Sequence, residues 1–302
     1  MKFALIGGGV VGRCYGEALA QQGHEMRGVW DLRPTPELQA LASATSAEVF
    51  ADAGPWLAEV DVVLSAVFGT AALDVARRAL PHLRPDALYI DMTTATPEDM
   101  ARGASEAQRH GVAFVDVAIT GAVNLRGART PLLCAGDEAD RAVACFAGLG
   151  APIRVVGHRP GQAVQLKLLR SIFAKGLEAL TIECLTTAEA AGLRAELHEV
   201  LLDIDQTSLQ SVMEAMVSTH IEHAHRRRSE VIEAAQLMRS IGIQPLVLDQ
   251  VQALFERTVE ALTLRAAPER SLDASLQWLI QTAAHERITP INTTAAAPAA
   301  AP

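Results

Sequence analysis

Gly7, Gly9 and Gly12 stand at the spacing Gly-x-Gly-x-x-Gly within Ile6-Gly7-Gly8-Gly9-Val10-Val11-Gly12. The spacing is informative when a strand runs into it and a helix leaves it, and both flanks read that way here. In that setting Gly7 permits the tight turn, Gly9 lets the backbone approach a pyrophosphate, and Gly12 lets helix and strand lie close. The first helical turn, with Val10 and Val11, offers free N–H groups and a partial positive charge to phosphates. Asp31 lies 19 residues past Gly12, at the end of the next strand. There a carboxylate accepts hydrogen bonds from adenosine ribose hydroxyls, which favours NAD. Arg33 can grip a 2′-phosphate instead, which keeps NADP open. The alternative for the loop is a tight turn with no ligand.

A second group centres on Lys167. On a wheel of about 100° per residue, Arg170 lies about 60° to one side of it and Ser171 about 40° to the other. A lysine in a dry cleft beside another cation exchanges a proton near neutral pH. On spacing alone, however, a surface lysine is the default reading. Thr120-Gly121-Ala122 follows the end of a strand, where open α/β sheets bind ligands. The Thr120 hydroxyl and nearby N–H groups can hold a carboxylate there, or form a plain turn. Thr93 and Thr94 follow another strand end and read as cofactor-side contacts. Asp116 reads equally as a site carboxylate or as a brace for a loop.

These residues need a sheet that presents loops at one edge. Aliphatic runs at 2–6, 26–30, 61–66, 88–90, 112–116, 132–135 and 153–156 read as its strands, with helices at 11–22, 70–80 and 97–110 between them. The expected fold is α/β, a Rossmann-type doubly wound parallel sheet followed by an all-α second domain. Strand-like runs stop after Gly157, and 161–191 reads as one helix of about 30 residues, near 45 Å long. Further helices are expected at 193–205, 208–239, 247–263 and 271–285. The domains are expected as a dinucleotide-binding domain over 1–159, an all-α substrate and dimerisation domain over 160–290, and a disordered tail over 291–302.

Half of the 302 residues are apolar, a fifth are charged and only 4% are aromatic, which fits two domains with aliphatic cores. A net charge of −9 disfavours nucleic acid as a partner. No uncharged apolar run is long enough to span a bilayer, so no membrane partner is expected. Cys14, Cys134, Cys145 and Cys184 form no Cys-x-x-Cys pair, so neither a metal site nor a disulfide framework is expected. With a start that does not read as a secretory leader, this points to the cytoplasm. His220, His223, His225 and Arg226-Arg227-Arg228 form one basic cluster. It reads as a solvated helix face, or as cations supplied to an active site.

Several segments together resemble the β-hydroxyacid dehydrogenase family, which includes 3-hydroxyisobutyrate and 6-phosphogluconate dehydrogenases. They are the opening Ile-Gly-Gly-Gly-Val-Val-Gly, Gly23-His24-Glu25, Asp91-Met92-Thr93-Thr94-Ala95-Thr96-Pro97, Asp116-Val117-Ala118-Ile119-Thr120-Gly121-Ala122 and Gly161-Gln162-Ala163-Val164-Gln165-Leu166-Lys167. Glu183 falls where the family has a glutamate in the same helix. The resemblance covers about residues 1–193 and implies that Lys167 is catalytic and that 120–122 bind substrate. It departs where the family has two asparagines, at Arg170 and Ser171. An arginine there suggests a substrate with an added anionic group. The resemblance thus implies a NAD(P)-dependent oxidoreductase acting on a small 3-hydroxy or sugar acid, working as a homodimer through its helical domain. Two alternatives are a dinucleotide-binding sensor without turnover and a reductase of C=N bonds, in which the lysine is usually absent.

Overall fold

Phe3 and Leu5 face one side of the first strand and Ala4 and Ile6 the other, and all four are buried. A strand buried on both faces belongs inside a parallel sheet covered by helices. The computed structural model, which describes residues 1–283, has that sheet. Its strands are β1 (Lys2–Ile6), β2 (Glu25–Trp30), β3 (Glu48–Phe50), β4 (Val62–Ser65), β5 (Leu88–Asp91), β6 (Ala113–Ile119), β7 (Leu132–Ala135) and β8 (Ile153–Gly157). The order is β3-β2-β1-β4-β5-β6-β7-β8, and β1 to β6 run parallel. The order reverses between β1 and β4, the switch point at which doubly wound sheets bind ligands.

Helices α1 (Val10–Gln21), α2 (Pro36–Ala44), α3 (Ala72–Ala79), α4 (Pro97–Arg109), α5 (Val123–Arg126) and α6 (Ala139–Phe146) accompany the sheet. Thr96 caps α4, accepting the Asp99 N–H at 3.1 Å, with Pro97 in the first turn. Thr35 and Pro36 start α2 in the same way. Two features depart from the expected parallel sheet. Strand β3 is an edge piece too short to show a period in the sequence. Strand β7 runs antiparallel to β6, because the short segment between Ile119 and Leu132 turns back on itself instead of crossing the sheet.

The chain divides into two compact units, Met1–Phe173 and one beginning at Ala174. The division falls inside α7 (Gln162–Ala190), so Lys167, Arg170 and Ser171 belong with the sheet. The second unit continues with α8 (Arg194–Val200), α9 (Leu202–Asp205), α10 (Leu209–His220), α11 (Ala224–Ser240), α12 (Val247–Leu264) and α13 (Leu272–Ala283). The helix expected over 208–239 is broken at 221–223. Neither glycine nor proline marks the corner; Ile221 and Ala224 are buried there, and Arg227 donates to Thr219 Oγ1 across it at 2.8 Å. Within this unit Glu183 accepts the N–H groups of Leu246, Val247 and Leu248 at 2.7, 2.8 and 2.8 Å and so caps α12. No helix among the described residues is long and apolar enough to cross a membrane. The tail expected over 291–302, like the end of the 160–290 domain, lies outside the described residues.

Candidate active site

The glycine loop sits at the switch point. Gly7 has φ +93°, and a Cβ there would lie 2.7 Å from the Ala66 carbonyl oxygen. A Cβ on Gly12 would lie 2.0 Å from the Gly7 oxygen, so α1 packs on its own loop as only glycine allows. At Gly9 nothing stands within 4 Å of the Cβ position. No side chain caps α1, and no acidic residue sits in its first turn. Open space and free N–H groups at a helix N-terminus fit a pyrophosphate.

A cavity of about 550 Å³ opens here, lined by residues including Gly7, Gly9, Val10, Val11, Asp31 and Arg33. Asp31 accepts the Gly8 N–H on Oδ2 and the Arg33 N–H on Oδ1, each at 2.7 Å. It therefore braces both loops of the cavity, and each oxygen keeps a second lone pair for a ribose hydroxyl. Arg33 is exposed at the rim. Arg78 also lines the cavity, with its guanidinium 4.9 Å from the Trp30 ring centre and paired to Asp52.

A neighbouring cavity of about 380 Å³ shares Val11, Ala66, Val67 and Phe68 with the first and brings together Thr94, Gly121 and Lys167. Lys167 Nζ donates to Thr94 Oγ1 at 2.9 Å. Burial lowers the proton affinity of this amine, and the Asp116 charge raises it part of the way back. Phe68 was not singled out in the sequence; it stands 82% exposed in the wall common to both cavities. The signal that points to it is its place just past a strand end at the switch point.

Other residues lie differently from their sequence pattern. The Thr120 N–H and hydroxyl both donate to the Pro131 oxygen, at 2.9 and 3.1 Å, so its donors close the turn between β6 and β7. Gly121 is needed for the close approach of Thr130, whose Cγ2 would lie 2.9 Å from a Cβ. Ala122 starts α5 through its carbonyl and is exposed. Arg170 is exposed and lines neither cavity. It shares Lys167's side of the helix by angle, but three residues carry it about 4.5 Å further along the axis. The Ser171 hydroxyl is spent on the Lys167 carbonyl at 2.9 Å.

Asp116 braces the start of α7. Its Oδ2 accepts the N–H groups of Gly161, Ala163 and Val164 at 2.9, 3.0 and 3.0 Å, one turn ahead of Lys167. Part of the basic cluster of the second unit is held in helix contacts. Arg226 pairs with Glu230, Arg228 with Glu256, and His220 Nε2 meets Thr258 Oγ1 at 2.9 Å. Burial, with Arg227 and Arg257 nearby, holds His220 below its ordinary pKa. No group of three His, Cys, Asp or Glu among the described residues is placed to hold a metal ion.

A glycine loop at the switch point, open toward a cavity, defines the class: a dinucleotide-binding fold. Residues 2–157 match the NAD binding domain of 6-phosphogluconate dehydrogenase, and the chain belongs to that family. A domain of unknown function (DUF1932) matches residues 188–258. The 3-sulfolactaldehyde reductase of Escherichia coli K12 is 30% identical over 63% of this chain and 65% of its own length. A solved conserved protein of unknown function, described as structurally similar to 3-hydroxyacid dehydrogenases, is 27% identical. The match covers 87% of this chain and 98% of that one, with a TM-score of 0.57. An imine reductase from Bacillus cereus BAG3X2 shares the fold at a TM-score of 0.72 and 15% identity, over 94% of this chain and 99% of that one.

Proposed function

We propose that this protein is a NAD(P)-dependent oxidoreductase that interconverts a small 3-hydroxy or sugar acid and its carbonyl form, with Lys167 as general acid and base. The observation that carries this reading is the half-buried Lys167 amine, bonded to Thr94 in a cavity that shares a wall with the dinucleotide cavity. A bound nicotinamide supplies or accepts the hydride. The chain supplies the rest. Lys167 takes the hydroxyl proton as the alcohol is oxidised and returns it on reduction, and the burial that lowers its proton affinity favours the neutral amine that the first of these steps needs. Thr94 holds the amine in place. The N–H groups of Gly121 and Ala122, for which no partner is found among the described residues, are donors for the substrate carboxylate. Gly7, Gly9, Gly12, Val10 and Val11 hold the pyrophosphate, and Asp31 the ribose. Phe68 covers the junction of the two cavities.

The name of the sulfolactaldehyde reductase relative, a small anionic aldehyde, supports the substrate class. A second copy of this chain is the proposed partner, through the helical part. The test is the absorbance of the reduced nicotinamide with NAD and NADP, across 3-hydroxy, dicarboxylic and sugar acids. Reduction of either nucleotide by at least one acid is expected. Turnover of imines with none of acids or their carbonyl forms would move the assignment to C=N chemistry, and cofactor binding with no turnover would make the chain a sensor.

A further inference from the structure

Two buried acids lie side by side behind the Lys167–Thr94 contact. The parallel register of β5 and β6 pairs Asp91 directly with Asp116, so both side chains leave the same face of the sheet. Asp91 is 2% exposed and Asp116 0%. Neither lines the cavity, yet each fixes one half of the contact. Asp91 Oδ1 accepts the Thr93 N–H at 2.9 Å and sets the turn that carries Thr94. Asp116 sets the first turn of α7, which carries Lys167.

Capping alone does not call for a buried charge. Glu183 caps α12 with both oxygens bonded; burial works against its charge, and the three N–H donors still hold its carboxyl below the ordinary value. Asp116 caps with one oxygen and leaves Oδ1 buried without a partner. An asparagine supplies a capping oxygen at far lower desolvation cost. The groups facing Asp116 are Asp91 from β5, Cys134 from β7 and Lys167 from α7, and Asp91 is also faced by Tyr89 of its own strand. Burial drives both carboxyls up to about 6, so the pair takes up a proton just below neutrality.

We propose that Asp91 and Asp116 are a positioning pair that gives the Lys167–Thr94 contact both its geometry and its charge. With Asp116 ionised, its carboxylate holds α7 and favours the ammonium form of Lys167. A proton taken from water onto the pair weakens both effects, and no other bond changes. This rests on the reading of Lys167 as the proton-exchanging group.

The chain has three lysines, Lys2, Lys167 and Lys175, so reductive ¹³C-methylation of the whole protein yields three side-chain signals to follow with pH by NMR. In the wild type the Lys167 signal is expected to titrate below the ordinary lysine range and to show a second inflection near pH 6. In Asp116→Asn the main midpoint falls further, by roughly half to one pH unit, because the favourable charge is gone. In Asp91→Asn the second inflection moves to lower pH, because the like charge is gone. A wild-type Lys167 signal with no inflection between about pH 5 and 7 overturns the proposal even if Asp116→Asn does not fold. A midpoint unchanged in a folded Asp116→Asn overturns it as well. The readout needs no substrate. A chain that titrates as expected but turns over no acid contradicts the functional reading alone, whereas active enzyme whose Lys167 ignores Asp116 contradicts the pair alone.

Discussion

Asp91 shows what a buried charge costs at the scale of one residue. Its folded pKa of about 6 lies above the ordinary value of 3.8, with burial the main cause and the Asp116 charge adding to it. The sign follows from linkage: its stabilising contribution is full below about pH 4 and is lost as pH rises through about 6. Asp91→Asn keeps an acceptor for the Thr93 N–H and removes the charge. It is expected to be more stable than wild type at pH 8, by on the order of 3 kcal/mol, with the gap cut to about half at pH 5 and closed only below about pH 4. Thermal unfolding at the two pH values checks this, and an equal gap at both contradicts it. Gly12 makes a second prediction at this scale. A Cβ has no room beside the Gly7 oxygen, so Gly12→Ala is expected to cost about 1–3 kcal/mol and to weaken cofactor binding about tenfold. Denaturant unfolding and cofactor titration read the two effects.

Elements meet through capping carboxylates that come from elsewhere in the chain. Glu183 reaches the start of α12 across 63 to 65 positions of sequence, and Asp116 reaches the start of α7 across 45 to 48. Glu183→Ala is expected to destabilise the helical unit by about 1–2 kcal/mol, seen as a lower denaturation midpoint. Such caps are not legible in sequence, because the donors lie far from the carboxylate; Asp116 could be read only as site or brace. What is local was legible: the strand running into Gly7, the Thr-Pro start of α4 and the uninterrupted run of α7. The break at 221–223 was not, since burial of Ile221 and Ala224 makes it without any breaker residue. In the site, Lys167, Thr94 and Gly121 converge as their strand-end and helix positions suggest. Arg170 and Thr120 diverge because a helical wheel ignores rise along the axis, and because a turn consumed the hydroxyl.

The whole molecule leaves apolar side chains in water. α7 exposes Leu169, Ile172, Leu180 and Ile182, and α10 exposes Leu209 and Met216. Apolar surface of this kind is worth about 25 cal/mol per Å² when covered, which is the support for a second copy of the chain as partner. Light scattering is expected to read twice the 32.1 kDa chain mass, and a monomer at micromolar concentration contradicts the dimer. In the proposed division of labour the switch point holds the dinucleotide, and α7 delivers one amine to the cavity beside it. In the proposed reaction this amine moves the substrate proton. Its most direct test compares Lys167→Ala with wild type in nicotinamide reduction, on an acid the wild type oxidises. A fall of about 10²–10⁴-fold in kcat, with cofactor affinity unchanged, is the predicted result. A variant that keeps the wild-type rate contradicts that role for Lys167.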